Sequence, residues 1–305
     1  MSFFPGKDPT PGNAYQCEAI KDIIVPRTID IDGLAIHRAL PSAQTRLIGP
    51  FIFFDHFGPA TFRSDQGIDV RPHPHIGLAT VTYLFDGEII HRDSLGVRAA
   101  IRPGEVNWMT AGRGIVHSER TAAEQRIDGA PIHGLQCWVA LPSAKEEMDA
   151  AFEHYDVAQF PEVSDDGICS RIVIGTLFGA TSPVKTTSET LFADVTLAKG
   201  ASMPFDADTE ERGIFVVSGE IDIQGDTFGP ERLLVFRPSD RLTVRALTDA
   251  HLMVLGGAPM DGPRHIWWNF VSSRKERIEQ AKAEWKSGRF DIVPGDTEEF
   301  IPLPD

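Results

Sequence analysis

Short apolar runs broken by Gly, Pro, Asp and Asn dominate this chain from Ile23 to about Leu141. Thr80-Val81-Thr82-Tyr83-Leu84-Phe85 stops at Asp86-Gly87 and resumes as Glu88-Ile89-Ile90, the pattern of a hairpin. Arg102-Pro103-Gly104-Glu105 marks a second turn, ahead of Val106-Asn107-Trp108-Met109. Punctuation this frequent favours an all-β sandwich or barrel over βαβ units.

The character changes between Ser143 and about Pro161. Ser143-Ala144-Lys145-Glu146-Glu147 is polar, and Pro142 and Pro161 bracket the stretch, so it predicts an interdomain connection. The expected division is 1–145 and 146–305. Strand-like runs then return at Ser170–Ile174, Leu191–Leu197, Gly213–Val217 and Arg232–Phe236. Tyr83-Leu84-Phe85-Asp86-Gly87-Glu88-Ile89 is similar to Phe215-Val216-Val217-Ser218-Gly219-Glu220-Ile221 at an offset of 132 positions, which predicts two related barrels. One helix is expected near the C-terminus. Ser273 and Glu276 form a capping-box pattern, Ile278, Ala281 and Trp285 share one face, and Gly288 is placed to end it.

Two clusters carry the chemistry. His73-Pro74-His75 and His117-Ser118-Glu119 each place ligand-type side chains two residues apart, and on a strand such a pair points to one face. Three imidazoles and one carboxylate make an N/O site for a divalent transition metal: Fe, Mn, Co, Ni, Cu or Zn. Pro74 cannot donate to a ladder, so its strand is expected at an edge. Gly112 and Gly114, just before the second cluster, suit a tight bend with close backbone approach. At the 132-residue offset His73 and His75 fall on Phe205 and Ala207, neither able to bind metal, so one centre per chain is predicted.

Composition narrows the function classes. A formal net charge of −15 and a pI near 5.1 argue against unaided contact with nucleic acid or anionic membrane. No apolar stretch approaches the ~20 residues that span a bilayer. The N-terminus lacks the pattern of a secretory signal. Cys17, Cys137 and Cys169 make an odd count without paired spacing, which disfavours disulfides and fits a reducing cytoplasm. Cys137, within Leu135-Gln136-Cys137-Trp138-Val139, is expected in the core.

Four ordered segments resemble the pirin family of bicupins: Phe54-Asp55-His56-Phe57, Pro72-His73-Pro74-His75-Ile76-Gly77, Trp108 through Glu119, and His133-Gly134-Leu135-Gln136-Cys137-Trp138-Val139. The likeness continues more loosely to Ser287-Gly288-Arg289-Phe290. It implies two tandem cupin barrels, jelly-roll-like, with a short C-terminal helix. It also implies a single metal, usually iron, held in the first barrel by His73, His75, His117 and Glu119. The family often carries a basic residue where Ile76 stands and an acidic one at Ala79, departures expected to alter what enters the site. Several bacterial members are quercetin 2,3-dioxygenases, which implies a flavonol substrate, Glu119 as general base, and Phe53 and Trp108 as apolar wall. Other members are regulators acting through protein partners, the alternative that the resemblance leaves open. His56 is expected to be a core residue or to line the pocket, and His91 and His133 to be structural or to support the ligands.

Overall fold

The computed structural model describes residues 8–304 apart from 13, 14, 32, 128 and 207. The first half forms β1 (Ile20–Ile24), β2 (Arg27–Ile31), β3 (Leu34–Leu40), β4 (Phe51–Thr61), β5 (Asp69–His75), β6 (Leu78–Gly87), β7 (Ile89–Asp93), β8 (Arg98–Ile101), β9 (Val106–Thr110), β10 (Ile115–Arg120), β11 (Pro131–Ala140) and β12 (Ala151–Tyr155). Then come β13 (Glu162–Asp165), β14 (Ile168–Ile174), β15 (Thr176–Leu177), β16 (Ala180–Thr181), β17 (Thr190–Leu197), β18 (Ser202–Phe205), β19 (Glu211–Ser218) and β20 (Ile221–Ile223). The chain ends with β21 (Asp226–Phe228), β22 (Arg232–Phe236), β23 (Leu242–Ala246), β24 (Ala250–Gly257), β25 (His265–Trp267), β26 (Phe270–Ser272) and helix α1 (Lys275–Lys286).

These strands build two barrels of the same topology. In the first, a seven-stranded sheet, β12-β9-β6-β11-β4-β3-β2, faces a four-stranded sheet, β5-β10-β7-β8. In the second, β1-β22-β19-β24-β17-β14-β13 faces β18-β23-β20-β21, matching the first element for element. The expected duplication is therefore real. The edge strands are exchanged: β1 pairs with β22, and β12 pairs with β9. Each leading strand closes the sheet of the other barrel.

The large sheets pack against each other through their outer faces. Phe51 meets Phe192 at 5.7 Å and Phe54 meets Phe215 at 5.0 Å between ring centroids, within one apolar core that also holds Tyr83, Trp108 and Cys137. Burying each phenylalanine contributes roughly 1.5–3 kcal/mol. A polar ring of contacts completes the seam, with Tyr83 donating to Asp194 at 2.7 Å and His251 lying 2.6 Å from the same carboxylate.

Three sequence expectations change here. Asp86-Gly87 does not close a hairpin, because β6 pairs with β9 and β11 while β7 pairs with β10 and β8. The turn instead carries the chain from one sheet to the other. The Ser143–Pro161 stretch, expected to connect the domains, carries structure of its own. It contributes β12, and buried Glu146 accepts hydrogen bonds from Ser273 N–H and Oγ at 2.7 and 2.9 Å and pairs with Arg264 at 2.9 Å. That engagement also removes the capping box: α1 starts after Arg274 without a side-chain cap, since Ser273 is committed to Glu146. The apolar face of α1 is as expected, with Ile278 and Ala281 buried beside Trp285, and Gly288 follows its end at a φ of +66°. Cys137 is fully buried, as its sequence context required.

Candidate metal centre

β5 and β10 are neighbours, so the two sequence clusters meet directly. His117 lies opposite His73 and Ile115 opposite His75, with a bulge between His117 and Glu119. β5 is the edge of its sheet, which is where Pro72 and Pro74 cost no ladder bond. Gly112, at a φ of +51°, lets the preceding bend press onto the Met148 carbonyl where any Cβ would collide.

His73, His75 and His117 are buried, and one ring nitrogen from each lies within 4.8 Å of the others. Nε2 of His75 and of His117 are 3.1 Å apart. The outer nitrogens settle the tautomers. His73 Nδ1 donates to the Arg71 carbonyl at 2.9 Å, and His75 Nδ1 donates to the Asn269 carbonyl at 3.2 Å. His91 Nε2 donates to Asp93 at 3.1 Å, leaving its Nδ1 to accept from His117 Nδ1 at 3.4 Å. Asp93 is itself fixed by the backbone N–H groups of Leu95 and Val97 at 2.9 and 3.1 Å. All three Nε2 lone pairs therefore point inward, an arrangement that suits a cation and wastes acceptors without one. His91 is the supporting residue the sequence expected.

Electrostatics agree. Burial, opposed by the Arg71 carbonyl, lowers His73 to about 4. Burial and neighbouring imidazoles hold His75 and His117 well below the ordinary histidine value. Neutral imidazoles are the form that binds metal. Glu119 is raised by burial, against the pull of His91 and of Thr82, whose hydroxyl lies 3.2 Å from Oε1. Glu119 lines the same cavity but stands outside the group of three nitrogens. One other cluster of ligand-type groups occurs among the described residues, Glu105, His154 and Asp156, on the partly exposed rim of β9 and β12.

The cavity above the histidines has a volume of about 310 Å³. Its walls come from alternate residues: Leu34, Ile36 and Arg38 on β3, Phe53, Asp55 and Phe57 on β4, and Gln136 with Trp138 on β11. Phe53 and Trp138 stack at 4.0 Å and 13°. Arg38 and Asp55 form a buried two-pronged pair at 2.8 and 2.7 Å, with the guanidinium 4.3 Å over the Phe53 ring. Phe53 is thus the wall residue expected, but Trp108 is not. It lies on the outer face of the large sheet, in the core between barrels, and Trp138 takes the place assigned to it. The signal was present in the alternation of Gln136 and Trp138 along β11.

Other expectations change as well. Ile76 packs under β26 and Ala79 lies in the seam core, so neither lines the cavity. His56, by contrast, takes the core role expected of it, buried and facing the second barrel, 2.9 Å from His133 and 2.7 Å from Glu231. Trp268, Asn269 and Ile301, far along the chain, complete the site and carried no recognisable sequence signal. In the second barrel the ladders align Pro204 with Pro74, since Thr243 faces Pro204 as Val116 faces Pro74. His73, His75 and His117 therefore correspond to Met203, Phe205 and Val244, all buried in one apolar core. This register differs by two residues from the 132 offset, and Ala207 lies outside the described residues.

Two cupin barrels, one with converging histidines beneath an apolar-walled cavity and one filled with apolar side chains, define a bicupin with its candidate metal centre in the first barrel. The Pirin family profile matches residues 33–139 and the Pirin C-terminal cupin domain matches residues 192–291. A pirin-like protein of Caulobacter vibrioides is 45% identical over 282 residues, 92% of this chain and 97% of that one. The chain belongs to the pirin family. Among solved structures, quercetin 2,3-dioxygenase from Acinetobacter baumannii matches with a TM-score of 0.86 and 33% identity, covering 93% of this chain and 95% of that one. A bacterial pirin from Escherichia coli, solved in complex with nickel(II), shares the fold at a TM-score of 0.62 and 18% identity, covering 78% and 100%. Among the described residues no helix is long and apolar enough to cross a membrane.

Proposed function

We propose that the chain is an iron-dependent dioxygenase of quercetin-like flavonols, with His73, His75, His117 and Glu119 as metal ligands. The observation that carries this reading is the convergence of three neutral imidazole lone pairs at the base of a cavity with a flat apolar wall. A volume of about 310 Å³ suits one small planar molecule. His73, His75, His117 and Glu119 would hold the ion through three imidazole nitrogens and one carboxylate. Bound Fe(II) would supply the one-electron chemistry that lets O₂ react with a closed-shell flavonol.

The chain's own residues have separable tasks. Phe53 and Trp138 supply apolar surface to the cavity, beside the buried Arg38–Asp55 pair. Glu119 accepts the proton of the flavonol 3-hydroxyl. Its carboxylate lines the cavity, with the Thr82 hydroxyl 3.2 Å from Oε1. Asp93 and His91 keep His117 in the tautomer that presents Nε2 inward. Ring opening would take up both atoms of O₂ and expel one ring carbon as carbon monoxide. The quercetin dioxygenase relative supports the choice of substrate class. Purified iron-loaded protein should consume O₂ with quercetin and release carbon monoxide; turnover no faster than with free iron removes the reading.

A further inference from the structure

The segment after α1 follows the second barrel in sequence but lies across the first. Ile301 N–H donates to the Pro72 carbonyl at 2.9 Å, one residue before His73, and Trp285 Nε1 donates to the Ile301 carbonyl at 3.0 Å. The Ile301 side chain lines the cavity while remaining partly exposed, which places it at the mouth; His73, almost wholly buried, lies at the floor. The other cavity walls from β3, β4 and β11 sit in backbone ladders on both sides. Ile301 has no such ladder, so its side chain can vary without disturbing a sheet.

The segment is fastened to the same strand that carries two candidate ligands. Along β10, His117 and Glu119 point inward, and Arg120, next in the alternation, points out. Arg120 donates from Nε and Nη2 to Asp296 at 2.7 and 2.8 Å, and from Nη2 to Glu299 at 2.9 Å. Burial acts to raise Asp296, but the hydrogen bonds from Arg120 help to outweigh it and hold the carboxyl below its ordinary value.

We propose that Ile301 is a specificity-determining residue, the outer wall that limits the size of aromatic ligand the cavity admits, and that Arg120 with Asp296 is the positioning pair that holds it there. This rests on the cavity being a small-molecule site. The test uses the full chain with Ile301→Trp and Ile301→Gly. Quercetin and the smaller 4-nitrocatechol are titrated by quenching of tryptophan fluorescence, since Trp138 and Trp268 line the cavity. Ile301→Trp should weaken quercetin about tenfold more than 4-nitrocatechol, as expected for added bulk in an apolar pocket, and Ile301→Gly should not weaken it. A second readout needs no flavonol: carbethoxylation of His73 by diethyl pyrocarbonate in metal-free protein, mapped by peptide mass. It should slow in Ile301→Trp and quicken in Ile301→Gly. Arg120→Gln should resemble Ile301→Gly in both readouts, with Arg120→Lys restoring part of the discrimination, whereas a merely structural arginine would lower stability and leave the ligand ratio unchanged. Shifts of one sign in both Ile301 variants, or none, overturn the proposal. If the parent chain fails to bind quercetin while His73 modification moves in opposite directions, the flavonol reading falls and the wall stands.

Discussion

The two barrels share strand order and ladder pairing, yet their interiors hold opposite materials. The second is filled by one continuous apolar core from Ile172 and Leu191 through Phe205, Val244 and Val254. In the first, apolar packing is split into two clusters. One contains Ile52, Phe53, Leu78 and Trp138; the other contains Leu34, Phe57, Leu84 and Ile89. Between them lie His73, His75, His91, Asp93 and His117, groups that burial penalises. The first barrel gives up part of its hydrophobic stabilisation to hold a pre-arranged site. It is buttressed from outside instead: Trp268 and Phe270 of the β25–β26 hairpin pack with Ile76, Ile278 and Ala281 over the end of β5. Two copies of one architecture have divided the labour, one packed throughout as a support and one holding the candidate metal centre.

The sharpest test of this contrast changes the same ladder position in each barrel. His75→Ala should reduce bound metal to background by elemental analysis; full retention would remove the site. Its counterpart Phe205→Ala should leave metal content intact and cost about 3–5 kcal/mol in chemical unfolding. Loss of metal in Phe205→Ala without destabilisation would break the division of labour. The next effect concerns support. Asp93→Asn weakens the hold on His91 and through it on His117, and metal affinity should fall about 10–100-fold, measured by competition with a chelator. Unchanged affinity would show that the Asp93–His91 relay is decoration.

The smallest effect belongs to the seam. Burial first, then His56 and His251, depress His133 from 6.5 to about 4. The unfolded chain therefore binds this proton more readily, and stability falls as pH drops from about 6.5 to about 4, levelling below that window. Because the ring is partly exposed the contribution is modest. His133→Asn should flatten the pH dependence of the urea midpoint across that range; identical slopes in parent and variant would exclude His133 as the titrating group.

Much of this was legible from local pattern. The i, i+2 spacing in His73-Pro74-His75 and the edge position that Pro74 demands both follow from strand geometry. The repeat at Tyr83 and Phe215 was visible because a strand–turn–strand motif keeps its turn residues. What local pattern missed was long-range pairing. Asp86-Gly87 looks like a hairpin because turn chemistry is local, whereas the sheet that β7 joins is decided by β8 and β10. Trp108 and Trp138 have similar apolar surroundings, and only the face of the sheet tells them apart. Ile301 reaches the cavity through one backbone bond and an ion-pair cluster, contacts with no periodic signature.

The exchange of edge strands has a consequence for how the chain is made. Ile24 finds its place opposite Leu233, so this strand must wait for one translated much later. Until then β1 carries unpaired backbone groups and an apolar Ile24 without its seat. The first barrel can collect β12 soon after β11 emerges, but the second sheet is completed only by reaching back across nearly the whole chain. Cutting the polypeptide between residues 145 and 146 would strand β1 with one fragment and β12 with the other, each separated from the sheet it finishes. Assembly here runs as a handshake, with each half released from its unfinished state by the other.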